Sequence, residues 1–292
     1  MILITGATGH FGRLTIKYLL EKGVPKTEIT ALVRTQESAN SFKEMGINYV
    51  IGDYNDYTSL INAFSGIEKL LFISGNDIIN RTTQHQNVVN AAKEAGVKYI
   101  VYTSFQRKNE TETSPLWIVA QSHIQTEKWI KESGIAYTIL KNNLYLDFLP
   151  GFIGENVLEN NTIFVPAENG KLSAVLREDM AEAVSNILST ENFKEKEYDF
   201  TNSKAITYQE IADVISEVTG KKINYISPTA EEYAKTLSQF GLPEEVIGIF
   251  SSFAVAQAQN ELDKESSDLE ELLGRKPLSI QQFLEDLFTP KN

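Results

Sequence analysis

Three glycines stand at positions 6, 9 and 12, in the opening stretch MILITGATGHFG, directly after an apolar run. This G-x-x-G-x-x-G spacing suits a chain that turns sharply off a strand and starts a helix. Glycine permits the unusual dihedrals and removes the Cβ that would obstruct an anion approaching the backbone N–H groups. The chemistry expected there is phosphate binding, of the kind a dinucleotide requires, with the backbone of Thr8, His10 and Phe11 contributing beside Gly6, Gly9 and Gly12. The alternative is a tight turn with no ligand. Arg34 ends a second apolar run, ALVR, where binders of NAD usually carry an acid. A guanidinium there would pair with a 2′-phosphate, so NADP(H) is expected, with NAD(H) the second choice. Asp53 and Tyr54 close a third run and could flank an adenine, and Ser74 and Gly75 close a fourth, along the same path.

Proton-transfer chemistry is harder to find. A Tyr-x-x-x-Lys pair would couple a phenol acid to a lysine that lowers its pKa. The string occurs at Tyr18–Lys22 and at Tyr137–Lys141. The first lies in the first helix, on the wrong side of the fold. The second lies in a strand, where residues four apart are about 13 Å distant. Both read as coincidences. Three scattered histidines show no ligand spacing, so no metal site is expected.

The elements that must position these residues alternate. MILIT, EITALVR, INYVIGD, KLLFISG, VKYIVYTS and AYTILKNN read as strands. The segments between them carry helical periodicity and mostly stop at glycines: 23, 46, 66, 96 and 134. Continuously apolar strands joined by helices predict a doubly wound α/β fold with a parallel sheet, covering about residues 1–147. The pattern loosens after Pro150. NTIFVPAENGKLSAVLRED reads as an irregular strand pair around a turn at Asn169-Gly170, and EYDFTN as a strand. Thr207 and Glu210 have capping-box spacing, and the remainder is mostly helical. QRKNETETSP, residues 106–115, is expected to be a mobile loop near the ligand.

Composition narrows the classes. The chain has 292 residues, of which 42% are hydrophobic, and a formal charge of −12. That charge argues against nucleic acid and anionic membranes as partners. The absence of cysteine excludes disulfides, thiolate metal sites and a cysteine nucleophile. No apolar run is long enough to cross a bilayer and no leader is evident, so a cytoplasmic protein is expected.

ITGATGHFG, ALVR, GDYND, KLLFISG, AAKEAGVKYIVYTS, TEKWIKESGIAYTIL and NNLYLDF together resemble the NmrA-like group of atypical short-chain dehydrogenases. The resemblance runs over nearly the whole chain and is greatest to the NAD(P)H:quinone oxidoreductases and triphenylmethane reductases. It implies a Rossmann-type domain, residues 1–147, and a smaller, mainly helical substrate-binding region, residues 148–292, partly interleaved with it. It also implies candidate site residues. Related reductases carry a lysine near the start of the helix before the sixth strand, and His123 falls there, as a proton donor or, on the bland reading, a partly exposed cap. Asn143 and Tyr145 follow the sixth strand, where the subgroup has the same pair, and would contact nicotinamide or an aromatic acceptor. Lys141 replaces the subgroup's usual arginine beside the cofactor.

A quinone can be reduced without a Tyr-Lys acid, because the ring delocalises the charge that hydride brings. The expected activity is therefore hydride transfer from NAD(P)H to a quinone or similar aromatic electrophile. Some NmrA-like proteins instead bind the dinucleotide without turnover and sense redox state through a protein partner. EVIGIFSSFAVAQAQ, residues 245–259, could serve such a partner, cover the substrate pocket or form a homodimer face.

Overall fold

Four short apolar segments bury every side chain, which requires cover on both faces of a sheet. They are β1 (Ile2–Ile4), β2 (Ile29–Val33), β4 (Lys69–Phe72) and β5 (Tyr99–Phe105). With β3 (Asn48–Ile51), β6 (Ala136–Asn142) and β9 (Lys196–Phe200) they form one parallel sheet in the order β3-β2-β1-β4-β5-β6-β9. The computed structural model describes residues 1–191 and 195–289. The strand order reverses between β1 and β4, the switch point outside which such sheets bind ligands. The fold is the doubly wound α/β type that the alternation predicts.

The crossovers are α1 (His10–Glu21), α2 (Gln36–Met45), α3 (Tyr57–Phe64), α4 (Arg81–Glu94) and α5 (Trp117–Ser133). Local chemistry sets several of their ends. Thr35 and Asp56 accept the backbone N–H of Ser38 and Ser59 at the starts of α2 and α3, and Gly46 and Gly134 end α2 and α5 in left-handed conformation. The start of α1 differs: Gly9 provides no side-chain cap, so the first N–H groups of that helix have no side chain to bind.

After β6 the chain continues through α6 (Leu149–Ile153), α7 (Val157–Asn160), β7 (Thr162–Phe164), β8 (Lys171–Leu172) and α8 (Arg177–Leu188). Beyond β9 come β10 (Ile206–Thr207), α9 (Tyr208–Thr219), β11 (Asn224–Ile226), α10 (Ala230–Gln239), α11 (Glu244–Ala258), α12 (Asp268–Leu273) and α13 (Ile280–Phe288). Thr207 and Glu210 form the expected capping box. Two elements of this half return to the first: β9 extends the sheet beside β6, and α8 packs its Met180, Val184 and Leu188 with Ile16 and Leu19 of α1. A second core joins Leu149, Phe152 and Ile163 to Ile211, Ala254 and Leu284. No helix among the described residues is long and apolar enough to cross a membrane.

Two expectations change here. The segments flanking Asn169-Gly170 do not pair with each other: β7 runs parallel to β11, and β8 antiparallel to β10. The turn between them is pressed against the end of α11, where Gln257 Nε2 donates to Gly170 O, and each strand takes a partner from later in the chain. Residues 106–115 are not loose. Arg107 forms a two-pronged ion pair with Glu127 at 2.8 and 2.9 Å and also reaches Glu110, Lys108 pairs with Asp263, and Ser114 donates to Glu261. A composition that reads as a loop is tied to α5 and to the segment after α11 by charged hydrogen bonds.

A Cβ on Gly170 would lie 1.9 Å from the Gln257 carbonyl oxygen, a backbone atom with no freedom to yield. Gly170→Ala should therefore destabilise the protein by about 3 kcal/mol in urea unfolding. An unchanged midpoint would mean that the turn and α11 are not in contact.

Candidate active site

The glycine turn meets the steric demands of a phosphate cradle. Gly6 has a φ of +57°. A Cβ on Gly12 would stand 2.5 Å from Gly6 O and 2.8 Å from Ala7 Cα, so only glycine lets α1 begin this close to β1. Gly9 N–H closes the turn on Gly6 O at 3.0 Å. Thr8 is exposed, its carbonyl held by Arg13 Nε, while Phe11 is buried in the core. Open backbone N–H groups at the positive end of a 12-residue helix remain, suited to a pyrophosphate. Arg34 is exposed at the end of β2, beside the capped start of α2. The Asp53 carboxylate accepts the Asn55 N–H at 2.8 Å, and Tyr54 donates to Ile73 O, fixing its ring between β3 and β4.

Beside the glycine turn, the segment after β6 brings up an aromatic wall. Tyr145 and Phe148 lie 5.8 Å apart, and the Arg177 guanidinium covers both rings at 5.6 and 4.9 Å. Asp147 accepts the Arg177 N–H at 3.0 Å and stands 3.8 Å from His10 Nδ1, linking this wall to the glycine turn. Burial holds the Tyr145 phenol above its ordinary pKa.

Beneath the carboxyl ends of β4 and β5 runs a buried polar ladder. Gly75 N–H donates to His85 Nε2 at 3.0 Å, so the ring proton sits on Nδ1 and is given to Thr126, which in turn donates to Ser122 O. Tyr102 joins the two other rings, its hydroxyl 2.7 Å from His123 Nδ1 and 3.4 Å from His85 Nδ1. Arg81 closes the ladder. Its Nε donates to Gly75 O at 2.7 Å and its Nη1 stands 3.4 Å from His123 Nε2. Burial, reinforced by the Arg81 charge, pushes His85 down to about 3 and His123 well below the ordinary histidine range.

Several sequence expectations are revised by these positions. His123 is neither exposed nor at a helix start: it is 4% exposed and seven residues into α5. Being neutral at pH 7, it has no imidazolium proton to donate. Asn143 is fully engaged inside the protein, its Nδ2 donating to Gln106, Ser173 and Leu262 O and its Oδ1 accepting Leu144 N–H. These bonds hold the end of β6 in place. The neighbouring Asn142, unremarked in the sequence, is buried at the end of β6 with an Oδ1 that has no hydrogen-bond partner among the described residues. Lys141 is claimed by Glu197 at 2.7 Å, since β9 lies beside β6 and carries that acid. Tyr18 donates to Glu178 on α8. Arg81, Tyr102, Asp147, Phe148 and Arg177 were also missed. Only distance in space unites them, although an arginine opening the helix after KLLFISG was a legible anomaly.

The comparisons with known proteins fit this geometry. The model of the NmrA-like family matches residues 1–284. The chain belongs to the NmrA-like family. It is 34% identical to quinone oxidoreductase 2 of Escherichia coli (strain K12) over 293 residues, with all of both chains covered. Among solved structures, the Escherichia coli NADPH-dependent quinone oxidoreductase complexed with NADPH superposes with a TM-score of 0.91 at 34% identity, covering 99% of this chain and 100% of the other. The Citrobacter sp. triphenylmethane reductase complexed with NADP(H) does so with a TM-score of 0.90 at 36% identity, over 99% and 100%.

The two buried histidines have a measurable consequence. The unfolded chain, with ordinary histidines near 6.5, binds more protons than the folded one between about pH 3 and 6.5. Stability is therefore complete above that range and falls as the pH drops into it. At pH 5 the His85 contribution alone amounts to about 2 kcal/mol. Urea unfolding should show a lower midpoint at pH 5 than at pH 7, and His85→Gln should flatten the slope. A midpoint constant over this interval would contradict the buried neutral ladder.

Proposed function

We propose that this chain is an NADPH-dependent reductase that delivers hydride to a quinone or similar aromatic electrophile. The observation that carries the reading is the placement of two features at one sheet edge. A glycine cradle that only glycine can build faces an aromatic wall at the carboxyl edge of one sheet, with no Tyr-Lys acid between them. The full-length similarity to an NADPH-dependent quinone oxidoreductase and to an NADP(H)-bound triphenylmethane reductase supports it.

The residues divide the work by position. Backbone N–H groups from His10 to Gly12, at the start of α1, take the pyrophosphate. Arg34 pairs with the 2′-phosphate, and Asp53 and Tyr54 border the adenine. Ser74 and Gly75 lie along the path between them, held by Thr103 and His85. NADPH, when bound, supplies the hydride. Tyr145 and Phe148 offer flat surfaces against which an aromatic acceptor stacks, so that alignment takes the place of acid catalysis. The last proton reaches the hydroquinone from solvent.

The sensor alternative needs a free docking helix. Here α11 turns its aromatic residues onto its own protein: Phe250 packs on Phe152 at 4.6 Å and Phe253 on Phe105 at 5.9 Å. That favours the role of α11 as a cover for the substrate region.

Stopped-flow mixing of protein, NADPH and a panel of quinones should show NADPH oxidation faster than in its absence; equal rates would reject the reductase reading. Arg34→Ala should raise the KM for NADPH by about 10-fold or more and leave that for NADH nearly unchanged, since only NADPH carries the phosphate.

A further inference from the structure

Arg81 is 6% exposed, yet among the described residues no carboxylate lies within ion-pair distance of its guanidinium. Its neighbours are neutral: a backbone carbonyl at Gly75, the uncharged ring of His123, and the phenols of Tyr102 and Tyr145. The acid nearest to it in charge interaction, Asp77, is exposed and already accepts from Asn80 and Gln84. A guanidinium keeps its proton inside proteins, so this is a fixed positive charge with no contact ion pair among the described residues, its one acidic influence being the exposed Asp77. Isolating a cation from water is costly, and an anion that completes the site offsets that cost. Arg81 stands at the start of α4, under the carboxyl ends of β4 and β5, and its charge is felt by Tyr145 beyond β6. That is the edge at which the acceptor must meet the cofactor.

We propose that the buried Arg81 charge selects acceptors that become anionic on reduction, favouring quinones and disfavouring cationic dyes. The proposal rests on the reductase reading and adds the substrate class. Hydride transfer brings two electrons and one proton to a neutral quinone and leaves a hydroquinone monoanion, which takes its second proton from water. A cation placed beforehand stabilises the oxygen charge as it develops. A triphenylmethane dye starts as a cation and ends neutral, so the same charge repels the substrate and gives nothing to the product. The two reactions therefore respond to Arg81 with opposite sign.

The test compares wild type with Arg81→Gln and Arg81→Lys. Glutamine keeps donors for Gly75 O without charge; lysine keeps charge without the planar fork. With NADPH binding first checked by fluorescence titration, kcat/KM is measured for a neutral quinone and for a cationic triphenylmethane dye. Arg81→Gln should lower the quinone value by about 100-fold and raise the dye value, while Arg81→Lys stays within about 10-fold of wild type for the quinone. A second readout needs no turnover. 4-Nitrophenol added to the NADP⁺-loaded protein should titrate about 1 pH unit lower than in water, by its phenolate absorbance, and this displacement should vanish in Arg81→Gln but persist in Arg81→Lys. Equal losses for quinone and dye, a lysine variant as poor as the glutamine one, or a nitrophenol titration identical in wild type and Arg81→Gln would each overturn the proposal. If wild type reduces neither acceptor, the reductase reading fails, and the nitrophenol titration still decides whether Arg81 holds an anion.

Discussion

The close approach of Gly12 to the Gly6 carbonyl governs the geometry of the glycine turn. With no room for a Cβ at Gly12, α1 starts immediately off β1 and directs its uncapped N–H groups over the carboxyl edge of the sheet. The distance from β1 to the wall after β6 follows from sheet order, because β4 and β5 lie between them. A larger residue at position 12 would push the helix away and leave the anion site open to water. Such a constraint concentrates the binding function in backbone atoms, which explains why the turn contains so few reactive side chains.

The ladder from Arg81 to Thr126 is the second organising feature, and it works by excluding charge. Two histidines, a tyrosine and a threonine satisfy one another in a region with almost no solvent, and each ring is held neutral by burial. Hydrogen bonds in such surroundings are strong, and the loss of one partner leaves another exposed to an apolar medium. Arg81 is the exception that gives the region a sign. Its Nε ties the β4–α4 loop at Gly75, so the residue that carries the charge also shapes the path beside the cofactor.

The second half of the chain completes the site by returning to the first. The Arg177 backbone and guanidinium bind Asp147 and cover Tyr145, so the start of α8 braces the aromatic wall while the rest of α8 packs on α1. The 106–115 segment acts similarly on the other side. Glu127, buried at 6% side-chain exposure, binds both Ser104 and Arg107, and Glu261 receives Ser114 from beyond α11. Buried ion pairs of this kind add less stability than specificity of arrangement, because desolvation offsets most of their attraction. Here they set where a polar loop runs.

The sequence by itself determined the alternation of strands and helices, the glycine turn, the capping box at Thr207 and the position of Arg34 at a strand end. Each depends on residues within a few positions of one another, where periodicity and backbone freedom act directly. Family resemblance drew attention to Tyr145, Asn143, His123 and Lys141, and the last three meet partners remote in the chain. Asn143 is consumed by Gln106, Ser173 and Leu262, His123 by Tyr102 and Arg81, and Lys141 by Glu197. Tertiary structure alone decided that β7 and β8 part company, that residues 106–115 are anchored and that Arg81 is buried without an acid. The reason is physical: a side chain's charge state and availability depend on what is packed around it. Those neighbours come from far along the chain: 160 residues separate Tyr18 from Glu178 and 155 separate Lys108 from Asp263.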